Sequence, residues 1–164
     1  MTQNHLALIA AVFVTALTTS AAAAPSTVGN AEVVATVQAV IEAGQSGDMS
    51  RLRRQYAPGC IFVDEFAPFL WTGPEAIGNY FASGARMYQQ TQHKGDKVTA
   101  APPAFVYVAA DSAFVVEPLS GSATVRGRPY ASRGAYAFSL ARVDGVWRIT
   151  SQTWTKASET RDPY

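Results

Sequence analysis

Two adjacent acids, Asp64 and Glu65, close an otherwise apolar run that begins at Cys60. A carboxylate kept from water by apolar neighbours holds its proton to higher pH, and can then serve as a general base near neutrality. Successive side chains of a strand point to opposite faces, which puts Cys60, Phe62 and Asp64 on one side and Ile61, Val63 and Glu65 on the other. If the strand stays regular the two acids cannot both line one cavity, and Asp64 is the one that shares its side with Phe62. A plainer role for Asp64 is to cap backbone groups at the strand end or to pair with Arg133.

The remaining reactive side chains offer less. Cys60 is the single cysteine, so neither an internal disulfide nor a cysteine metal site can form, and its place in the alternation reads as a buried, inert thiol. His93 stands among Gln92, Lys94 and Gly95 and reads as solvated; with only His5 besides, there is no ligand set for zinc. Arg51, Arg53 and Arg54 read as the wet face of a helix. No glycine-rich phosphate loop, nucleophile elbow or nucleotide fingerprint is present, and neither a metal nor a cofactor is expected.

These residues need a scaffold, and the periodicities supply one. Asn30 is a candidate N-cap for a helix over 31–43, in which Val33, Val34, Val37, Val40 and Ile41 recur at helical spacing. Asp48 caps a shorter helix reaching Tyr56. Ala57-Pro58-Gly59 breaks it, a strand follows over Cys60 to Glu65, and Leu70-Trp71-Thr72 is its hairpin partner beyond a turn at Pro68. Thr72 or Gly73 caps the next helix, with Pro74 in its first turn and Ile77, Tyr80, Phe81, Gly84 and Tyr88 as its inward stripe; this is predicted to be the longest helix. From Asp96 onward four segments rich in Val, Phe, Tyr, Trp and Thr, 98–108, 113–125, 129–143 and 146–156, predict a meander, and Asp144-Gly145 is a strong hairpin signal. Pro102, Pro103 and Pro118 lack ladder donors and mark bulges or edges. The predicted fold class is α+β: a cone-shaped, curved, mixed or antiparallel sheet wrapped around three helices of the N-terminal half. Its open end suits a small, largely apolar ligand.

The chain of 164 residues has room for one domain, and 48% hydrophobic residues are enough for an ordinary core. Thirteen basic and twelve acidic residues are mixed along it, for a net charge of +1, with no basic run that would engage nucleic acid. No Lys, Arg, Asp or Glu precedes Glu32. The apolar run Leu6 to Leu17 and the small residues Thr18 to Ala24 read as a signal peptide over 1–23. A linker (24–29), a domain (30–157) and a loose tail (158–164) are expected to follow. Export to a periplasm or the exterior, with no stable membrane insertion after cleavage, is the expectation.

With these elements in order, the residues Gly47-Asp48, Tyr56-Ala57, Phe62 to Asp64, Thr72 to Ile77 and Val146 to Ile149 resemble the nuclear transport factor two-like superfamily. This superfamily includes ketosteroid isomerase, scytalone dehydratase and the SnoaL-type cyclases. The resemblance spans the chain beyond the leader and is specific for fold more than for function, since that fold hosts enzymes and plain binding modules. Laid against the ketosteroid isomerase pattern, Asp64 falls on the general-base position. The tyrosine of helix one that donates to the oxyanion is replaced by Val40, and the second donor corresponds to Tyr136, whose hydroxyl can still donate. Ser151 and Thr153 stand where many exported members carry inward histidines. The resemblance thus implies a pocket of Phe62, Trp71, Tyr80, Phe81, Phe138, Ser151 and Thr153, with Asp64 and Tyr136 as candidate catalytic groups. It also implies a homodimer through the outer sheet face, with Trp154, Ala135 and Val146 on that face. Binding of a small molecule is the first reading, Asp64-based catalysis the second, and a dimerising association module the third.

Overall fold

A computed structural model of the protein describes residues 27–160; the leader expected over 1–23 and residues 161–164 lie outside them. Helix α1 (Thr27–Ser46) buries Val33, Val37, Val40 and Ala43 along one face, as their spacing requires. It begins inside the expected linker, so Asn30 lies within the helix and does not cap it. Extending a formed helix by a turn costs far less than nucleating one, and Thr27 to Gly29 contain no proline to stop it. At 20 residues α1 is longer than α3, contrary to expectation. Asp48 caps α2 (Met49–Arg53), its side chain accepting from the Arg51 N–H at 2.8 Å.

The second helix ends short of Tyr56, because Tyr56 already belongs to β1 (Tyr56–Val63) and lies opposite Ile149. Extra residues bulge from β1 between Tyr56 and Ile61, where Gly59 takes a φ of 70°. Strand β2 (Leu70–Trp71) pairs antiparallel with β1, Phe62 opposite Trp71. Helix α3 (Ala76–Gln90) starts later than Thr72 or Gly73 would have it; Glu75 is its N-cap and makes no side-chain capping bond.

The segment expected as one strand over 98–108 is two, β3 (Lys94–Ala100) and β4 (Phe105–Ala109), separated at Pro102 and Pro103, which have no N–H for a ladder. Both lie antiparallel on β5 (Ser112–Val125). Two-residue turns at Arg126-Gly127 and Asp144-Gly145, left-handed at each residue, lead into β6 (Arg128–Val143) and β7 (Val146–Glu159). The sheet order is β2-β1-β7-β6-β5-β3, with β4 also on β5 and β1 parallel to β7. Over the described residues the fold is thus the expected α+β one: a curved, unclosed, mostly antiparallel sheet of seven strands with three helices. The C-terminal stretch expected to be loose is held: β7 runs to Glu159, and the Thr160 N–H donates to Ala131 O at 2.9 Å.

Two bulges in β7 decide which side chains face inward. Ser139 lies opposite Ser151 while Leu140 lies opposite Ile149, which leaves Thr150 as an extra residue; Ala157 is extra in the same way between Lys156 and Ser158. Trp147 and Ile149 point into the core before the first bulge, and Gln152, Trp154 and Lys156 point inward after it. A one-residue slip turns every later side chain to the other face. Simple alternation had Ser151 and Thr153 inward and Trp154 outward, and the bulge reverses all three.

Candidate functional site

A cavity of about 850 Å³ opens between α1, α3 and the inner face of the sheet. Asp64 lies on its wall just beyond β1 and is 8% exposed. Its Oδ1 accepts from the Glu65 N–H at 2.7 Å and its Oδ2 from the Tyr80 hydroxyl at 2.7 Å. Arg133, the alternative partner, is not paired with it. Burial pushes the Asp64 pKa up; the bonds from Tyr80 and from the Glu65 N–H oppose the rise without cancelling it.

Tyr136 comes to the same place from β6. Its hydroxyl lies 3.5 Å from that of Tyr80, so Asp64, Tyr80 and Tyr136 form a chain of three polar groups on an apolar wall. Burial, and then the charge of Asp64, holds the Tyr136 hydroxyl protonated to well above the usual tyrosine range. A phenol so placed is a donor or acceptor of hydrogen bonds and not an acid at physiological pH.

Of the expected pocket residues, Tyr80, Phe81 and Phe138 line the cavity. Phe62 and Trp71 do not. Phe62 stacks on Tyr80 at 4.5 Å, and Trp71 meets Tyr80 edge-on at 5.2 Å while its Nε1 donates to Ser83 Oγ at 3.3 Å. Both brace Tyr80 from behind, as members of the core. Ser151 and Thr153 face away from the cavity, opposite Ile61 and Val63 of β1. Cys60 is buried with its thiol pushed up to about 11 by burial, which fits an inert core residue.

Several lining residues were not expected. Gln152 and Trp154 enter through the β7 bulge, a feature with no signature in the local sequence. Gln152 accepts from the buried Tyr56 hydroxyl, and Trp154 packs on Tyr136 at 5.0 Å. Trp154 fits because β6 carries Gly134 beneath it: a Cβ there would lie 2.6 Å from the indole and 2.3 Å from Thr155 O. His93 is not solvated. It stacks on Tyr88 at 4.4 Å, meets Tyr130 edge-on at 5.9 Å, and places Nε2 2.9 Å from Asp96 Oδ1. The acid three residues on was the one available signal for that pair. At the rim Lys156 bridges Glu65 at 2.8 Å and Glu159 at 2.5 Å. Among the described residues no three His, Cys, Asp or Glu side chains converge to hold a metal ion.

The sequence profile of the SnoaL-like domain matches residues 33–154. The chain belongs to that family. Solved structures similar to this SnoaL-like domain share its fold at low identity. The hexachlorocyclohexane dehydrochlorinase LinA-type3 of Novosphingobium barchaimii is 14% identical, with a TM-score of 0.67 over 82% of this chain and 93% of that one. A ketosteroid isomerase-like protein of Erwinia carotovora is 18% identical, with a TM-score of 0.64 over 81% and 99%. A putative scytalone dehydratase of Novosphingobium aromaticivorans is 14% identical, with a TM-score of 0.63 over 81% and 87%. No curated protein matches the chain.

Proposed function

We propose that this SnoaL-like domain binds a small, largely apolar molecule in its cavity, oriented by the polar chain Asp64–Tyr80–Tyr136. The observation that carries the reading is the wall itself. Apolar and aromatic side chains from α1, α3, β5 and β6 surround a space of about 850 Å³, and a few convergent polar groups stand at one place on it. Calorimetric titration with a neutral apolar probe, diphenylmethanol, tests it. Binding is expected to the native domain and to be lost in Ala123→Trp, which fills the space from β5. Equal binding by that variant, folded, would move the site elsewhere.

A second reading is favoured by one specific juxtaposition: the carboxylate whose pKa burial raises is separated from the Tyr136 hydroxyl by one other hydroxyl, that of Tyr80, on the same wall. In that reading Asp64 takes a proton from a carbon acid or from water, and the Tyr136 hydroxyl donates to the oxygen on which negative charge gathers. The structural neighbours named as a dehydrochlorinase, an isomerase-like protein and a dehydratase agree with such chemistry at the level of the fold. Export behind a cleaved leader, and pairing with a second copy through the outer sheet face, complete the proposal. Among the described residues that face carries Ile61 and Val63, 41% and 38% exposed, beside Ser151 and Thr153.

A further inference from the structure

We infer that the occupant of the cavity carries a positive charge: a hydrophobic ammonium ion, its nitrogen beside Asp64 and its body among aromatic rings. The inference rests on the cavity reading and deepens it. Both Asp64 oxygens accept hydrogen bonds, one from a phenol and one from a backbone N–H, which is the arrangement of an ionised carboxylate. Among the described residues no lysine, arginine or histidine is at ion-pair distance from it. The cation whose charge reaches Asp64 is Lys156, and that ammonium is already held by Glu65 and Glu159. A buried carboxylate is thus left on a cavity wall without a countercharge of its own.

A neutral apolar body that displaced water from this wall would leave the carboxylate stranded, which is costly; an ammonium ion would compensate it. The rest of the wall does not supply the missing countercharge: beyond Asp64 it carries two acids, Glu65 and Asp96, and two lysines, Lys97 and Lys156, whose formal charges cancel. Tyr130, Tyr136 and Trp154 add aromatic rings to the lining, a kind of group that attracts cations, and the Tyr80 and Tyr136 hydroxyls can accept from an ammonium N–H. An anionic ligand would meet the same carboxylate and the same rings with the wrong charge.

Titrations of diphenylmethylamine, protonated at neutral pH, against diphenylmethanol test this, since the two differ only in the group that would meet Asp64. The amine is expected to bind the native domain about tenfold tighter or better, a difference that one favourable charge contact supplies. In Asp64→Asn the ratio of the two affinities is expected to fall to near one. If the alcohol binds the native domain as tightly as the amine, or the preference survives in a folded Asp64→Asn, the inference is overturned while the cavity reading stands. If neither compound binds, both fall. Should Asp64→Asn not fold, Asp64→Ser replaces it, and the comparison on the native domain decides by itself.

Discussion

Among the described residues Asp64 is one of two carboxyls that the fold keeps from water; the other, Glu117 on β5, lies opposite Tyr136 in the ladder but does not line the cavity. Glu117 is 2% exposed, its Oε2 has no hydrogen-bond partner, and burial raises its pKa. A carboxyl whose pKa is higher in the folded than in the unfolded chain gives the native state the greater hold on protons. Below the ordinary carboxylate range both states are protonated and the difference vanishes; as pH rises through the window above that range, the unfolded chain ionises first and stability falls. Glu117→Gln is therefore expected to melt with the native protein at about pH 4. At neutral pH it is expected to be more stable by about 1–3 kcal/mol, the usual cost of an unsatisfied buried polar group. Thermal denaturation at the two pH values checks this, and a variant less stable than native at neutral pH would mean that Glu117 has a stabilising partner. Asp64 was legible in the sequence because the alternation of β1 carries on from Phe62 to it, but Glu65, expected on the opposite side, reaches the same wall because the strand has ended at Val63. The partner of Asp64, Tyr80, was legible only as a pocket residue, since a contact sixteen positions away depends on how α3 packs over β1.

Helix and strand order followed from periodicity and turn residues, but several boundaries did not. The end of α2 and the end of β7 depend on neighbouring strands, and the split of β3 from β4 was legible only as an irregularity at Pro102 and Pro103. The strand bulges were illegible for a stronger reason. An extra residue at Thr150 leaves no compositional trace, yet it exchanges Ser151 and Thr153 for Gln152 and Trp154 on the cavity wall. Gly134 is the part of this arrangement that one substitution can probe. In Gly134→Ala the new methyl would meet Thr155 O, a backbone atom that cannot swing aside, as well as the Trp154 ring. A loss of about 1–3 kcal/mol is expected, as for overpacking elsewhere, with a changed near-ultraviolet signal from Trp154. Native-like stability and spectrum would show that β6 and β7 can separate there at little cost.

At the scale of the molecule the sheet has two faces with different duties, the inner one around the cavity and the outer one left with the apolar Ile61 and Val63 on β1 beside the uncharged Ser151 and Thr153 on β7. Trp154 was expected on the outer face and stands on the inner, so the proposed dimer rests on Ile61, Val63, Ser151, Thr153 and Ala135 instead. The native domain is expected to run as a dimer by light scattering at micromolar concentration, and Val63→Lys as a monomer, because a charge buried in such a contact has no partner. A native domain that runs as a monomer would reject the proposal. One residue, Thr150, assigns the members of β7 to these duties. It works like a frameshift read in three dimensions: were Thr150 to take a regular place in the ladder, with no residue changed, Ser151 and Thr153 would turn to the ligand and Gln152 and Trp154 to the partner. Related chains could therefore trade one specificity for another by moving a bulge, without a single substitution in the residues that touch either.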